Sequence, residues 1–112
     1  MDQAVLVLAP PPKASRTDAD VFTSLVWFWR QSSAHWFSRS EDFDRRFRDN
    51  FLSLHEAVAG RRHDEWIAQP HGALALVILT DEFPRHAFRG TPRMYATDDL
   101  ARRYARQAIE AG

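Results

Sequence analysis

The sequence predicts an all-α domain of antiparallel helical hairpins, and three observations carry that expectation. Apolar residues recur every three or four positions through most of the chain, and Ser, Thr and Asp stand where helix starts need them. A β reading of residues 76–79 finds no partner strand elsewhere. At 112 residues there is room for one hydrophobic core, which buries roughly 65% of the surface that the unfolded chain exposes.

Residues 1–16 form a Pro-rich leader, because Pro10, Pro11 and Pro12 can neither continue a helix nor donate to a sheet. The domain is expected over residues 17–112. Thr17 caps a first helix running to Arg30, with Asp18 and Asp20 in its first turn to meet the free amides and the positive end of the dipole. Its inward face is Val21, Phe22, Leu25, Val26, Phe28 and Trp29, and Trp27 points elsewhere.

A second helix opens with capping-box spacing at Ser38 and Glu41, continues through Phe43, Phe47, Phe51, Leu54 and Val58, and stops at Gly60 as a left-handed residue. A short turn then carries Trp66 to Pro70, which suits a first helical position. From Ala73 to Leu79 every residue is apolar, so this third helix needs cover on most sides and is the centre of the core. Pro84 ends or kinks it and biases Phe83 away from helical angles. After the loop at Gly90, Thr91 and Pro92, Thr97 caps a last helix whose inward residues are Leu100, Ala101, Tyr104, Ala105, Ala108 and Ile109.

Fifteen acidic residues balance fifteen basic ones, which leaves no global field for a nucleic-acid backbone or an anionic membrane. Lys13 is the lone lysine, so the positive charge is arginine, suited to planar pairing with carboxylates. The absence of cysteine removes disulfides, thiolate nucleophiles and Cys-based zinc sites, and no apolar run approaches the ~20 residues of a spanning helix. These features point to a cytoplasmic chain without cofactors.

Among the five histidines, His55-Glu56 begins like a zinc-protease helix but has Ala59 where the second histidine belongs. His63 and His71 flank Trp66 without ligand-pair spacing, so no metal is expected. No Gly-x-Ser-x-Gly elbow or glycine-rich phosphate loop is present.

The polar groups concentrate between Asp81 and Arg93. Asp81, Arg85, His86 and Arg89 are the candidate site residues, either a latch that fixes the helix end or a pocket in which Arg85 and Arg89 hold a small anion or carboxylate while Asp81 or His86 moves a proton. Trp27 is the candidate for a groove or an intermolecular contact.

The run Trp27, Phe28, Trp29, then Trp36-Phe37, Phe43-Asp44, Trp66, the block from Leu74 to Arg85, Phe88 to Pro92 and Tyr95 to Asp98 resemble in order and spacing the bacterial DUF924 family. The resemblance covers nearly everything from Val26 onward, and implies helical hairpins similar to a tetratricopeptide-type stack. Family members commonly carry Gln at the position of Glu82 and Asn at that of His86, and continue beyond the equivalent of Gly112 with a His-Ser-Glu motif. From the resemblance we expect a protein- or peptide-binding module whose open helical face is covered by a homodimer partner or by another protein, with contacts at Trp27, Tyr104 and Ile109; the alternative is an enzyme or anion binder using Asp81, Arg85 and Arg89.

Overall fold

The computed structural model describes residues 17–37 and 39–111. The leader over 1–16 and the cap expected at Ser38 lie outside them. The architecture is all-α as the sequence predicts, with no strand among the described residues. Among the described residues five α-helices follow in order: α1 (Asp18–Gln31), α2 (Glu41–Ala59), α3 (Pro70–Val77), α4 (Phe83–Ala87) and α5 (Asp98–Ala111). A wide π turn (Ile78–Glu82) joins α3 to α4, and short 3₁₀ turns fill Ser33–His35, Asp64–Ala68 and Pro92–Tyr95. The most extensive helix contacts pair α1 with α3, α2 with α4, and α3 with α5. No helix among the described residues is long and apolar enough to cross a membrane.

The first helix starts as its sequence dictates. Thr17 Oγ1 accepts from the Asp20 amide at 3.1 Å while Asp20 accepts from the Thr17 amide at 3.2 Å, a reciprocal cap. For α2 the observed cap is Ser40, whose hydroxyl accepts from the Phe43 amide at 3.2 Å. Its far end also differs by one residue from expectation. Gly60 has φ −83° and the left-handed residue is Arg61 at φ +64°. The amides of Arg61 and Arg62 reach back to the carbonyls of Val58 and Ala57, at 2.9 and 3.0 Å, and close the paired bonds of a Schellman motif around that residue.

An aromatic seam joins α1 to α2. Phe28 lies 5.7 Å from Phe47 and 5.2 Å from Phe51, and Trp29 stacks on Trp36 at 5.0 Å. Beneath it, Leu25, Leu76, Leu79 and Phe83 are fully buried, so the third helix does occupy the centre. Gly72 makes this possible on one side, because a Cβ there would stand 2.3 Å from the Trp66 carbonyl oxygen.

Pro84 does not end the helix. Phe83 keeps helical angles, φ −56° and ψ −50°, and its amide bonds the Ile78 carbonyl five residues back. The widened turn brings the chain past a residue that lacks an N–H for either its α-type partner, Thr80, or its π-type partner, Leu79. Both carbonyls find side chains instead. Thr97 Oγ1 donates to the Thr80 carbonyl at 2.7 Å, and His55 Nδ1 donates to the Leu79 carbonyl at 2.8 Å. Thr97 thus spends its hydroxyl on the third helix, a use that its expected role as the cap of α5 did not foresee.

The cover over the apolar helix is incomplete. Leu74 is 36% exposed and Val77 is half-buried, so one strip of α3 stays open beside α5. Along α5 only Ala101 and Tyr104 of the six expected inward residues are buried, and Ile109 is 80% exposed.

Candidate functional site

The polar segment after the π turn wraps onto α2 and the start of α5, and the candidate residues separate into two ionic sets. In the first, Arg85 Nη1 donates to Asp81 Oδ1 at 2.6 Å and to Asp98 Oδ1 at 3.2 Å, and also reaches the Asp81 carbonyl at 2.9 Å. Arg85 follows Asp81 by one helical turn, while Asp98 arrives from the first turn of α5. In the second set, Arg89 Nε donates to Asp44 Oδ2 at 2.9 Å, and His86 Nδ1 lies 2.9 Å from Asp44 Oδ1. Arg89 therefore turns toward α2, and the triad expected of Asp81, Arg85 and Arg89 is divided between the two sets.

Two of the residues that organise these sets were not among the sequence candidates. In the sequence Asp44 stands only in the family-like Phe43-Asp44 pair, and Asp98 only at the end of the block from Tyr95 to Asp98. Each lies far along the chain from its arginine, and no local spacing shows such pairing. Asp44 occupies the α2 turn beside Phe43 and Phe47, both buried, so that its carboxylate is directed at α4.

His86 is buried between Trp29, Phe43 and Phe47, with ring centroids 5.1 to 5.9 Å away. Burial pulls its pKa below the usual 6.5, against the raising effects of the Asp44 carboxylate and the Trp36 backbone. Asp44 raises the pKa of Arg89. For Arg85 burial acts downward, but the carboxylates of Asp81 and Asp98 outweigh it and hold the guanidinium firmly charged. Glu82 is pushed up by burial and by the neighbouring Asp81.

Arg85, His86 and Arg89 still share one cleft of about 340 Å³ with Trp36, Phe37, Glu82 and Met94. A second hollow on the other side of His86 and Arg89 is lined by Glu41, Asp44, Arg45 and Arg48. Trp27 lines neither; it is 65% exposed on α1. Chemically the arrangement is close to self-neutralised. Two guanidiniums face Asp44, Asp81 and Asp98, so a bound anion would have to compete with carboxylates already in place.

A third surface feature is apolar. Between α3 and α5 runs a groove of about 480 Å³ lined chiefly by Ile67, Ala73, Leu74, Val77, Ala105 and Ile109. It is the open strip of the central helix together with the outward side of the last one.

A solved protein of unknown function from Agrobacterium tumefaciens is similar to this chain, with a TM-score of 0.82 and 42% identity. The match covers 84% of this chain and 54% of that one, so the chain spans about half the length of this relative. No curated protein matches. The family model for bacterial proteins of unknown function, DUF924, matches residues 24–112. With helices α2 to α5, the Phe43-Asp44 pair and the block from Leu74 to Arg85 all inside that match, the chain belongs to the DUF924 family.

Proposed function

We propose that this chain is a cytoplasmic, protein-binding assembly module, and that the groove between α3 and α5 receives a second copy of the same chain. The observation that carries the reading is the uncovered apolar strip: Leu74 and Ile109 stand exposed beside a hollow floored by Ala73, Ala105 and Ala108. Protruding and hollow apolar groups on one patch are what a twofold contact needs, since each copy then sets its Ile109 against the alanines of the other. Charge supports the same geometry. The first turn of α5 carries Asp98 and Asp99, bonded within the chain to Arg85 and Arg102, and Arg106 follows one turn after Arg102. An antiparallel pair of α5 helices places the acidic turn of one beside the arginines of the other.

Tyr104, expected at this contact, is unavailable to it. The ring is 1% exposed and its hydroxyl is bonded to Asp64 within the fold. Trp27 stands outside the groove lining and has no part in the proposed contact.

The rival reading, a small-anion or carboxylate binder or enzyme at Arg85, His86 and Arg89, draws on their common cleft. The carboxylates facing both arginines favour the latch instead. Light scattering at micromolar concentration tests the assembly: the wild type is expected at twice the chain mass and Ile109→Asp, at an exposed position, as a folded monomer. A wild type that stays monomeric sinks the second copy as occupant, and phosphate or acetate binding abolished by Arg85→Gln would move the function to the cleft.

A further inference from the structure

Outside the ionic sets around Arg85 and Arg89, the first residue of α1 meets the turn that leads into the Trp66 segment. Asp18, His63 and Glu65 offer a ring nitrogen and two carboxylate oxygens that all lie within 4.8 Å of one another. Two of these side chains are exposed, but the histidine nitrogen is not. His63 Nδ1 is shut off from solvent and has no hydrogen-bond partner. Its nearest carboxylate oxygen, Glu65 Oε2, stands at 3.8 Å, beyond hydrogen-bond reach. Buried polar atoms are almost always satisfied, so this one calls for a partner.

The ring cannot readily turn away to find one. It stacks on Trp66 at 4.3 Å with 22° between the planes, and Trp66 is itself buried against Phe22. Asp64, between the two candidate ligands in sequence, is already bonded to Arg61 and to the Tyr104 hydroxyl. Asp18 and Glu65 are therefore the carboxylates available to the His63 nitrogen.

We propose that Asp18, His63 and Glu65 bind a divalent transition-metal ion, with zinc as the fitting case. One neutral imidazole and two carboxylates compensate a dication, and the mixed nitrogen and oxygen set suits zinc better than calcium or magnesium, which take oxygen throughout. A tetrahedral zinc with bonds of about 2.0–2.2 Å places its donors roughly 3.3 Å apart. Closing from the present spacing asks only for rotation of the exposed Asp18 and Glu65 side chains, and water completes the fourth position. Asp18 lies far along the chain from His63 and Glu65, which is why no local spacing marks the three together in the sequence. Such an ion ties the start of α1 to the turn that seats Trp66 and carries Ile67 at the rim of the apolar groove.

Zinc titration of the full chain by calorimetry, with cobalt absorption to read the coordination, tests the site. One zinc per chain is expected, with a melting temperature that rises on zinc addition and falls back with chelator. His63→Ala also disturbs the Trp66 stack, so the deciding variants are Asp18→Asn and Glu65→Gln, each expected to weaken zinc by about tenfold or more. Absence of binding at micromolar zinc overturns the proposal. So does binding that both carboxylate variants leave unchanged, which would place the ion on other histidines.

Discussion

Replacing Thr97 with valine removes the hydroxyl that reaches the Thr80 carbonyl, while keeping a branched side chain of similar shape. Thr80 is fully buried, and the proline four residues later has no amide to offer its carbonyl. A typical hydrogen bond contributes a net 0.5–1.5 kcal/mol, roughly, and a buried acceptor left unsatisfied costs about 1–3 kcal/mol. Thr97 is half-buried, so water reaches part of the gap and about 1–2 kcal/mol is the expected loss. For a domain of this size that is a melting temperature lower by roughly 5–15 °C. The mechanism is isolated by a second background. In Pro84→Ala the new amide can supply the Thr80 carbonyl itself, and Thr97→Val should then cost less than about 0.5 kcal/mol, a coupling of about 1 kcal/mol. Urea unfolding of the four proteins, compared at equal slope, gives both numbers. Equal costs in the two backgrounds would refute the idea that Thr97 replaces the bond Pro84 cannot make.

Leu76→Ala, at the fully buried centre of α3, should cost about 2–5 kcal/mol in the same urea assay, and a loss below 1 kcal/mol or so would remove that helix from the core. Gly72→Ala pushes a methyl into the Trp66 carbonyl and is expected to destabilise by about 1–3 kcal/mol, where an unchanged midpoint would contradict the close approach. Asp44→Asn should cost more than Asp81→Asn, because Asp44 is 17% exposed and meets both Arg89 and His86, whereas Asp81 is 36% exposed and screened by water. Reversal of that order in thermal melts would make the Asp81 pair the stronger latch. His55 and His86 both have pKa values lowered chiefly by burial, so the unfolded chain takes up protons near pH 6.5 that the folded chain refuses. Their contribution is complete above that pH and is lost as pH falls through the depressed values, so melting temperatures equal at pH 7.5 and 5.5 would be incompatible with neutral buried rings.

Periodicity and capping residues made the helices legible, because both act within a few residues of one another. Thr17 and Asp20 close their cap locally, and the Phe43, Phe47, Phe51 series lies on one face whatever else the chain does. The misplacements follow from the same limit. Ser40 caps α2 by choice of backbone path, and the left-handed position falls on Arg61 one residue beyond Gly60, where the Schellman bonds close. Pro84 was legible as a local breaker, but the carbonyls it frees are met by Thr97 and His55, partners that only tertiary structure can bring. The site was half legible for that reason. Asp81 and Arg85 are one turn apart and could be paired on the page, whereas Asp44 and Asp98 reach the arginines across the fold. The unbroken apolar run from Ala73 to Leu79 correctly marked the central helix, yet it carried no information about which strip would stay open.

The π turn is equivalent to one extra residue inserted into a continuous helix, and the bookkeeping of faces downstream depends on it. At 3.6 residues per turn, each residue swings the following side chains by about 100°. Were the same residues wound as ordinary helix with none removed, everything after the turn would be rotated by about that angle. Phe83 would leave its place against Phe47 and His55, and His86 and Arg89 would be carried off the line of Asp44. The phase of the second half of this helix relative to the first is therefore set by the width of the π turn, and the ionic face on α4 and the apolar strip on α3 can coexist on one rod only while that turn stays wide for its number of residues.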